Sequence, residues 1–347
     1  MALRIGIAGA GVLGRLLAFT LSRAGHDVQV FDPASGPGPR AESGSQAAGW
    51  TAAGMLSPVA ELERAGADVF ALGVRSCQLW PQIVQALSEP VALHMHGSLL
   101  LAHRSDAGAA QRVVGLLQAK ADAPYQPQPL SMDALRDLEP SIQGPALAWL
   151  LPSEGQIHPV QALQALAAQA TMQGVQWHWG STVTAVDAGA IHAGEAQHRF
   201  DHVFDVRGVG AKPALPVRGV RGEVFWLHAP GVPLHRPVRL LHPRHSIYMV
   251  PRPGDVIVVG ASEIESEDRS PVSLRSTLEL LSAAHSVMPA LAEARVVHTE
   301  TNLRPALPDN LPAIRHSAGK TEINGLFRHG WLIAPALVEQ ALQELKL

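Results

Sequence analysis

Residues 3–32, LRIGIAGAGVLGRLLAFTLSRAGHDVQVFD, decide the fold. Residues 3–8 form an apolar run of strand length. Gly9-Ala10-Gly11-Val12-Leu13-Gly14 follows, and then Leu16, Leu17, Phe19, Thr20 and Leu21 recur at helical spacing through 15–24. Gly25 ends that helix, His26-Asp27 turns the chain, and 28–31 form a second strand closing on Asp32. Strand, GxGxxG, helix, strand and acid in one unit is the fingerprint of a dinucleotide site. Gly9 makes the tight turn, Gly11 lets a pyrophosphate approach the backbone, and Gly14 lets the helix pack on the strand. The pyrophosphate belongs at the helix N-terminus, at Val12 and Leu13, because free N–H groups and the helix dipole both favour an anion there. Asp32 suits a ribose diol, and its charge argues against a 2′-phosphate. The motif leaves NAD and FAD both open, since they share the ADP half.

Outward from this unit, composition removes several function classes. The chain has 347 residues, enough for two packed domains, and a formal charge of −3 that offers no basic excess for nucleic acid or an acidic membrane surface. Its single cysteine, Cys77, rules out an intramolecular disulfide framework and every multi-cysteine metal site, and reads as a small buried hydrophobe. No apolar run reaches the ~18 residues of a membrane helix. The glycine-interrupted N-terminus reads as a first strand rather than a signal peptide, so the expected compartment is the cytoplasm.

Residues 36–54, GPGPRAESGSQAAGWTAAG, are small enough to let backbone approach a large flat ligand. Helical patterns run through 69–87 and 107–121, with a strand expected over 94–101. His94 and His96 alternate onto one face of that strand, but without a third ligand no metal site is expected. A second nucleotide-fold block starts near Ser153, with a helix over 160–173 behind Pro159, strands over 175–179, 182–186 and 203–206, and a glycine turn at Arg207-Gly208-Val209-Gly210. Residues 217–259 carry short strands with close turn signals, the mark of an antiparallel sheet. Ser270-Pro271 is expected to cap a helix over 272–284, and a last apolar helix is expected over 335–345. Parallel-sheet patterns that return after a hundred or so residues of another kind imply a discontinuous first domain.

Four segments carry a resemblance to a known family. They are GAGVLG with Asp32, AAGWTAAGMLSP at 47–58, TNLRPALPDNLPAI at 301–314, and NGLFRHGWLIAPA at 324–336. The chain resembles the FAD-dependent amine oxidases of the D-amino-acid oxidase superfamily, and within it the glycine oxidases of thiamine biosynthesis. The resemblance implies an α/β chain: a doubly wound, Rossmann-like FAD-binding domain over 1–58, 153–215 and 301–347, and an antiparallel-sheet α+β substrate domain over 59–152 and 216–300. It implies noncovalent FAD, because no cysteine stands near the C-terminal flavin segment. Ala53, Gly54, Met55 and Leu56 are then expected beside the flavin ring, Gly330, Trp331 and Leu332 at its pyrimidine edge, and Val183 and Gly208 near the rest of the cofactor.

For the substrate, Arg304 is the expected carboxylate fork and Tyr248 its partner. Arg328 is expected to border the substrate or to stabilise negative charge on the flavin. Glu263 departs from the small apolar contact expected at its place; it either favours a polar or cationic substrate or belongs to a solvated acidic turn with Glu265, Glu267 and Asp268. The segment Asp205-Val206-Arg207-Gly208 also departs from its more Ala/Gly-rich relatives. The implied reaction is oxidative deamination of glycine or another small amino acid or amine by hydride transfer to flavin N5, with O2 as reoxidant and H2O2 formed. A flavin dehydrogenase using another electron acceptor and a non-catalytic flavin protein remain the alternatives. No nucleic-acid or membrane partner is expected, and self-association is common among such relatives.

Overall fold

The computed structural model describes residues 1–39, 46–242 and 246–347. Parts of the small-residue stretch at 36–54 and of the strand run at 239–252 therefore lie outside the described residues. The first strand, Arg4–Ala8, sits in the middle of a six-stranded sheet. Asp27–Asp32 and then Gln176–Trp179 lie on one side of it; His202–Asp205, Lys320–Asn324 and Ala313–Ser317 lie on the other. Every pairing in this sheet is parallel except that of the last two strands. The strand order reverses direction at Arg4–Ala8, and a crevice opens beyond the carboxyl ends at such a switch point.

The helices Val12–Arg23, Pro159–Met172 and Gly330–Leu345 share one hydrophobic core with this sheet. Leu13, Leu16, Leu17 and Leu21 are the buried stripe of the first of them. The sheet's other side is covered by an antiparallel sheet of Val183–Asp187, Ala190–Ala193 and Ala196–Arg199, through Phe31, Val203, Ile191 and Phe200.

A second, eight-stranded sheet runs in the order Arg295–Ala306, Arg218–His228, Val256–Gly260, Ser246–Arg252, Val238–Leu241, Ser98–Ala102, Leu147–Leu151, Gln128–Leu130. It is antiparallel apart from the pairing of Val238–Leu241 with Ser98–Ala102. The long strand Arg295–Ala306 runs straight through residue 301, at which the sequence reading divides the chain, and pairs with Arg218–His228 down to Ala306. On one face Phe225, Met249 and Val259 pack under the helix Leu274–Val287 through Leu280, Ala284 and Val287. The alternate residues, Val224, Tyr248, Val250 and Val258, face the other way, toward Ala53 and Met55.

Local boundaries shift where cap chemistry decides. The helix expected over 272–284 begins at Leu274, and Ser273 caps it, its Oγ accepting from the Ser276 N–H at 3.2 Å. The final helix starts at Gly330 and carries Pro335 inside it. The strand expected over 94–101 is two strands, Leu93–His94 and Ser98–Ala102, broken at Gly97 with φ +83°. His94 and His96 are therefore not fellow members of one strand, and no group of metal-ligating side chains occurs among the described residues. No helix among them is long and apolar enough to cross a membrane.

Candidate functional site

One long cavity runs from the carboxyl end of the parallel sheet to the inner face of the eight-stranded sheet. At its first end Gly9 adopts φ +105°, and a side chain there would meet the Val206 carbonyl at 2.8 Å. Gly14 does not line the cavity; a Cβ on it would sit 1.8 Å from the Gly9 carbonyl oxygen, so its service is the close packing of helix on turn. Gly11, Val12 and Leu13 line the cavity, and no side chain caps the helix they open. Those N–H groups are left for an anion. Asp32 also lines it, its carboxylate held in place by the N–H groups of Ala10 at 2.6 Å and Ala34 at 2.8 Å.

Arg15, one residue past the glycine motif, is 1% exposed. It donates to the carbonyls of Ala10, Pro37 and Leu163 at 2.7–2.9 Å and lies over the Trp50 ring, 5.0 Å from its centroid. Burial pulls its pKa down to about 10 against the opposing pull of Asp32. Arg207 makes a fork on Asp205 at 2.9 and 2.7 Å and donates to the Val183 carbonyl at 3.0 Å. The departure at 205–208 thus ties Val183 and Gly208 into the cavity wall.

In the middle of the cavity lie Ala53, Gly54 and Met55. Leu56 does not: strand alternation turns it, fully buried, into the core shared with Leu332 and Ile333. Thr51 and Asn302 join this segment to the long strand, the Asn302 amide donating to Thr51 Oγ1 at 2.9 Å. Across from them Gly330, Trp331 and Leu332 open the last helix, whose N-terminus has no side-chain cap. Trp331 is fixed by donating Nε1–H to the Gly49 carbonyl at 3.1 Å, and its own carbonyl accepts from Trp80 Nε1–H at 2.9 Å. Two uncapped helix N-termini, one at each end of an apolar middle, fit a cofactor with a pyrophosphate and a polar-edged flat ring.

The far end is charged. Arg304 pairs with Val220 in the strand register, and its guanidinium lies over the next residue but one, Gly222, where a Cβ would come within 2.5 Å of it. Its only hydrogen bond among the described residues is to the Arg221 carbonyl at 3.3 Å, and no carboxylate there lies within ion-pair distance. Tyr248 stands beside it, with its ring in the space above Gly260, its register partner. Burial raises the Tyr248 pKa, against the pull of Arg304, Arg239, Arg252 and Arg328. The hydroxyl therefore stays protonated and able to donate.

The sequence reading did not single out the carboxylate that organises this end. Glu61, 6% exposed, accepts from Arg239 Nη2 at 2.6 Å and from Arg328 at 3.1 and 2.9 Å, with His329 Nδ1 at 3.4 Å. Burial opposes its charge, but Arg328, Arg239 and His329 outweigh burial and hold the carboxyl well below the usual range. Arg328 reaches a second carboxylate, Glu263, at 3.1 Å. Glu263 is therefore neither a free partner for a cationic substrate nor a purely solvated turn residue; it is paired. Arg239 lies opposite Tyr248 in the strand register, a fact no spacing in the sequence reveals.

Residues 4–341 match the model of the DAO family, described as FAD dependent oxidoreductase. The chain is 36% identical over 348 residues to the putative thiamine biosynthesis oxidoreductase ThiO of Rhizobium etli, covering 99% of this chain and 96% of that one. It is 24% identical over 364 residues to the glycine oxidase of Geobacillus kaustophilus, covering 95% and 89%. The crystal structure of the latter superimposes with a TM-score of 0.84 at 22% identity, over 99% of this chain and 94% of that one. Iminodiacetate oxidase from Chelativorans sp. BNC1 gives the same TM-score at 23% identity, over 99% and 95%. These two structures establish the likeness of fold.

Proposed function

The chain belongs to the DAO family of FAD-dependent oxidoreductases, and we propose that it oxidises glycine or another small amino acid at the carbon bearing its amine. The observation that carries this reading is Arg304: a cation in the cavity, with no carboxylate partner among the described residues, beside a tyrosine hydroxyl. A guanidinium so placed takes a carboxylate bidentately, and Tyr248 adds a donor to the same group. Holding the carboxylate at one end orients the amine-bearing carbon and removes the rotational freedom that opposes reaction.

Bound here, FAD would supply the hydride acceptor, with O2 as the reoxidant and H2O2 as the product. Gly9, Gly11, Val12, Leu13 and Asp32 would hold its ADP half, with Gly14 keeping the turn tight. Val183 and Gly208 flank it. Ala53, Gly54 and Met55 would cover the ring and the N–H groups at Gly330, Trp331 and Leu332 would face its polar edge. Attachment is noncovalent: Cys77 is absent from the described cavity wall, and burial pushes its thiol up to about 12. The substrate amine enters neutral, so no protein base is needed. Water hydrolyses the released imine to oxo acid and ammonia, giving glyoxylate from glycine. The name of the 36% identical relative supports a place in thiamine biosynthesis.

The test is a visible spectrum of the purified protein, repeated with glycine under anaerobic conditions and then with O2. We expect a flavin spectrum that bleaches with glycine and returns with stoichiometric peroxide. A flavin spectrum unmoved by glycine, sarcosine and small D-amino acids overturns the substrate reading.

A further inference from the structure

We propose that Glu263 is a built-in carboxylate that occupies the second anion place of the substrate pocket and so excludes dicarboxylic substrates. The inference rests on the proposed carboxylate role of Arg304. Three arginines, Arg304, Arg328 and Arg239, line this end of the cavity with the carboxylates Glu61 and Glu263, and the cavity wall also holds Glu63, which lies 3.9 Å from Arg64. Arg239 is matched by Glu61, and Arg328 by Glu61 and Glu263. Arg304 alone of the three has no carboxylate within ion-pair distance among the described residues, and it is the one left to meet an incoming carboxylate.

The two carboxylates are not equivalent. Glu61 is buried and grips two arginines and a histidine, so it is part of the frame. The Glu263 side chain is 42% exposed, and Arg328 is its one hydrogen-bond partner among the described residues. Arg328 in turn has only 17% of its side chain exposed, so its outer nitrogen meets whatever carboxylate comes to that side of the cavity. Glu263 supplies one from the chain itself. A diacid whose first carboxylate sits on Arg304 finds its second facing Glu263 instead of an unoccupied guanidinium nitrogen, and like charges held close together repel, less than in a dry site because Glu263 is part-exposed. A small neutral amino acid meets no such conflict. Glu263 selects by repulsion rather than by attraction.

Binding of unreactive carboxylates to the FAD-loaded protein, read from perturbation of the flavin spectrum, tests this without requiring turnover. The wild type is expected to bind acetate at least tenfold more tightly than malonate or succinate. In Glu263→Gln that preference falls by tenfold or more, about 1.4 kcal/mol, as Arg328 Nη1, which now meets Glu263, becomes free for the second carboxylate. Glu263→Asp, which keeps the charge, stays nearer the wild type. Equal binding of mono- and dicarboxylates by the wild type overturns the proposal, as does an unchanged preference in Glu263→Gln or an Asp variant that behaves like Gln. Failure to oxidise glycine with this binding pattern intact rejects the substrate reading and keeps the role of Glu263; turnover of glycine without the pattern does the reverse.

Discussion

The two ends of the cavity bind by opposite means. At the parallel-sheet end the contacts offered to a ligand come mostly from backbone N–H groups, and residues 9–14 and Asp32 supply them within one short unit. At the eight-stranded end they come from long charged side chains on segments far apart in the chain: Glu61, Arg239, Tyr248, Arg304 and Arg328. A backbone site depends on space and helix direction, so a single added methyl group destroys it. A side-chain site depends on charge balance, so it fails by losing one partner while the scaffold survives.

This contrast is broken most severely by pairing one substitution at each end. Gly14→Ala forces a Cβ against the Gly9 carbonyl, and overpacking of this kind costs roughly 3 kcal/mol. The expected product is a colourless protein without activity, checked by FAD content and thermal melting. Arg304→Ala should stay yellow with nearly unchanged melting, yet lose about 10³-fold in kcat/KM for glycine, the order expected when a charged hydrogen-bonding partner is removed. If both variants lose FAD alike, the two ends are not separable in this way.

A smaller effect separates two buried carboxyls, one in the charged end of the cavity and one behind its wall. Glu61 is held low by its arginines, whereas burial raises Glu154 despite hydrogen bonds from the Ala60 N–H and Ser98 Oγ. Glu61→Gln breaks a buried ion-pair network and should destabilise by about 3 kcal/mol at pH 7. Because the folded value of Glu61 lies below its unfolded one, its stabilisation is complete above the ordinary value of about 4.3. It is lost as pH falls from there toward the folded value. The gap in melting temperature between wild type and Glu61→Gln should therefore narrow in acid. For Glu154 the sign reverses: its ionised form opposes the fold, so Glu154→Gln should melt within about 1 kcal/mol of wild type or above it at pH 7. A large loss of stability in Glu154→Gln would show that its hydrogen bonds outweigh burial.

The smallest effect is expected outside both ends. Cys77→Ser should leave kcat/KM unchanged, and acid denaturation of the wild type should release all flavin into solution. Flavin that stays with the precipitate contradicts noncovalent binding.

Much of the fold was legible before any coordinates. The first strand, helix and second strand fall at Arg4–Ala8, Val12–Arg23 and Asp27–Asp32, close to their expected places. The helices Ala67–Gln85, Ala107–Lys120 and Pro159–Met172 also do, since each is long and periodic or stopped by a clear signal. The strand Arg295–Ala306 was hidden: the sequence reading divides the chain inside it at residue 301, and its first five residues, Arg295–Thr299, are exposed, Val296 and Val297 among them. It lies at the sheet's edge, where proline and an exposed face are tolerated. Leu56 was assigned to the flavin wall because its neighbours belong there, but a strand's period of two sends it into the core.

The glycine turn, the helix it opens and the acid after the second strand were fixed by local sequence, because their geometry depends on φ angles and free N–H groups within about thirty residues. The arginine fork at Arg304 was legible only as a motif. Its neighbours were decided by the tertiary structure, because ion pairs between residues 61, 239, 263 and 328 depend on strand register and on which charges share a desolvated space. Sequence supplies the charged groups; only the folded chain determines which of them cancel and which one is left to meet a ligand.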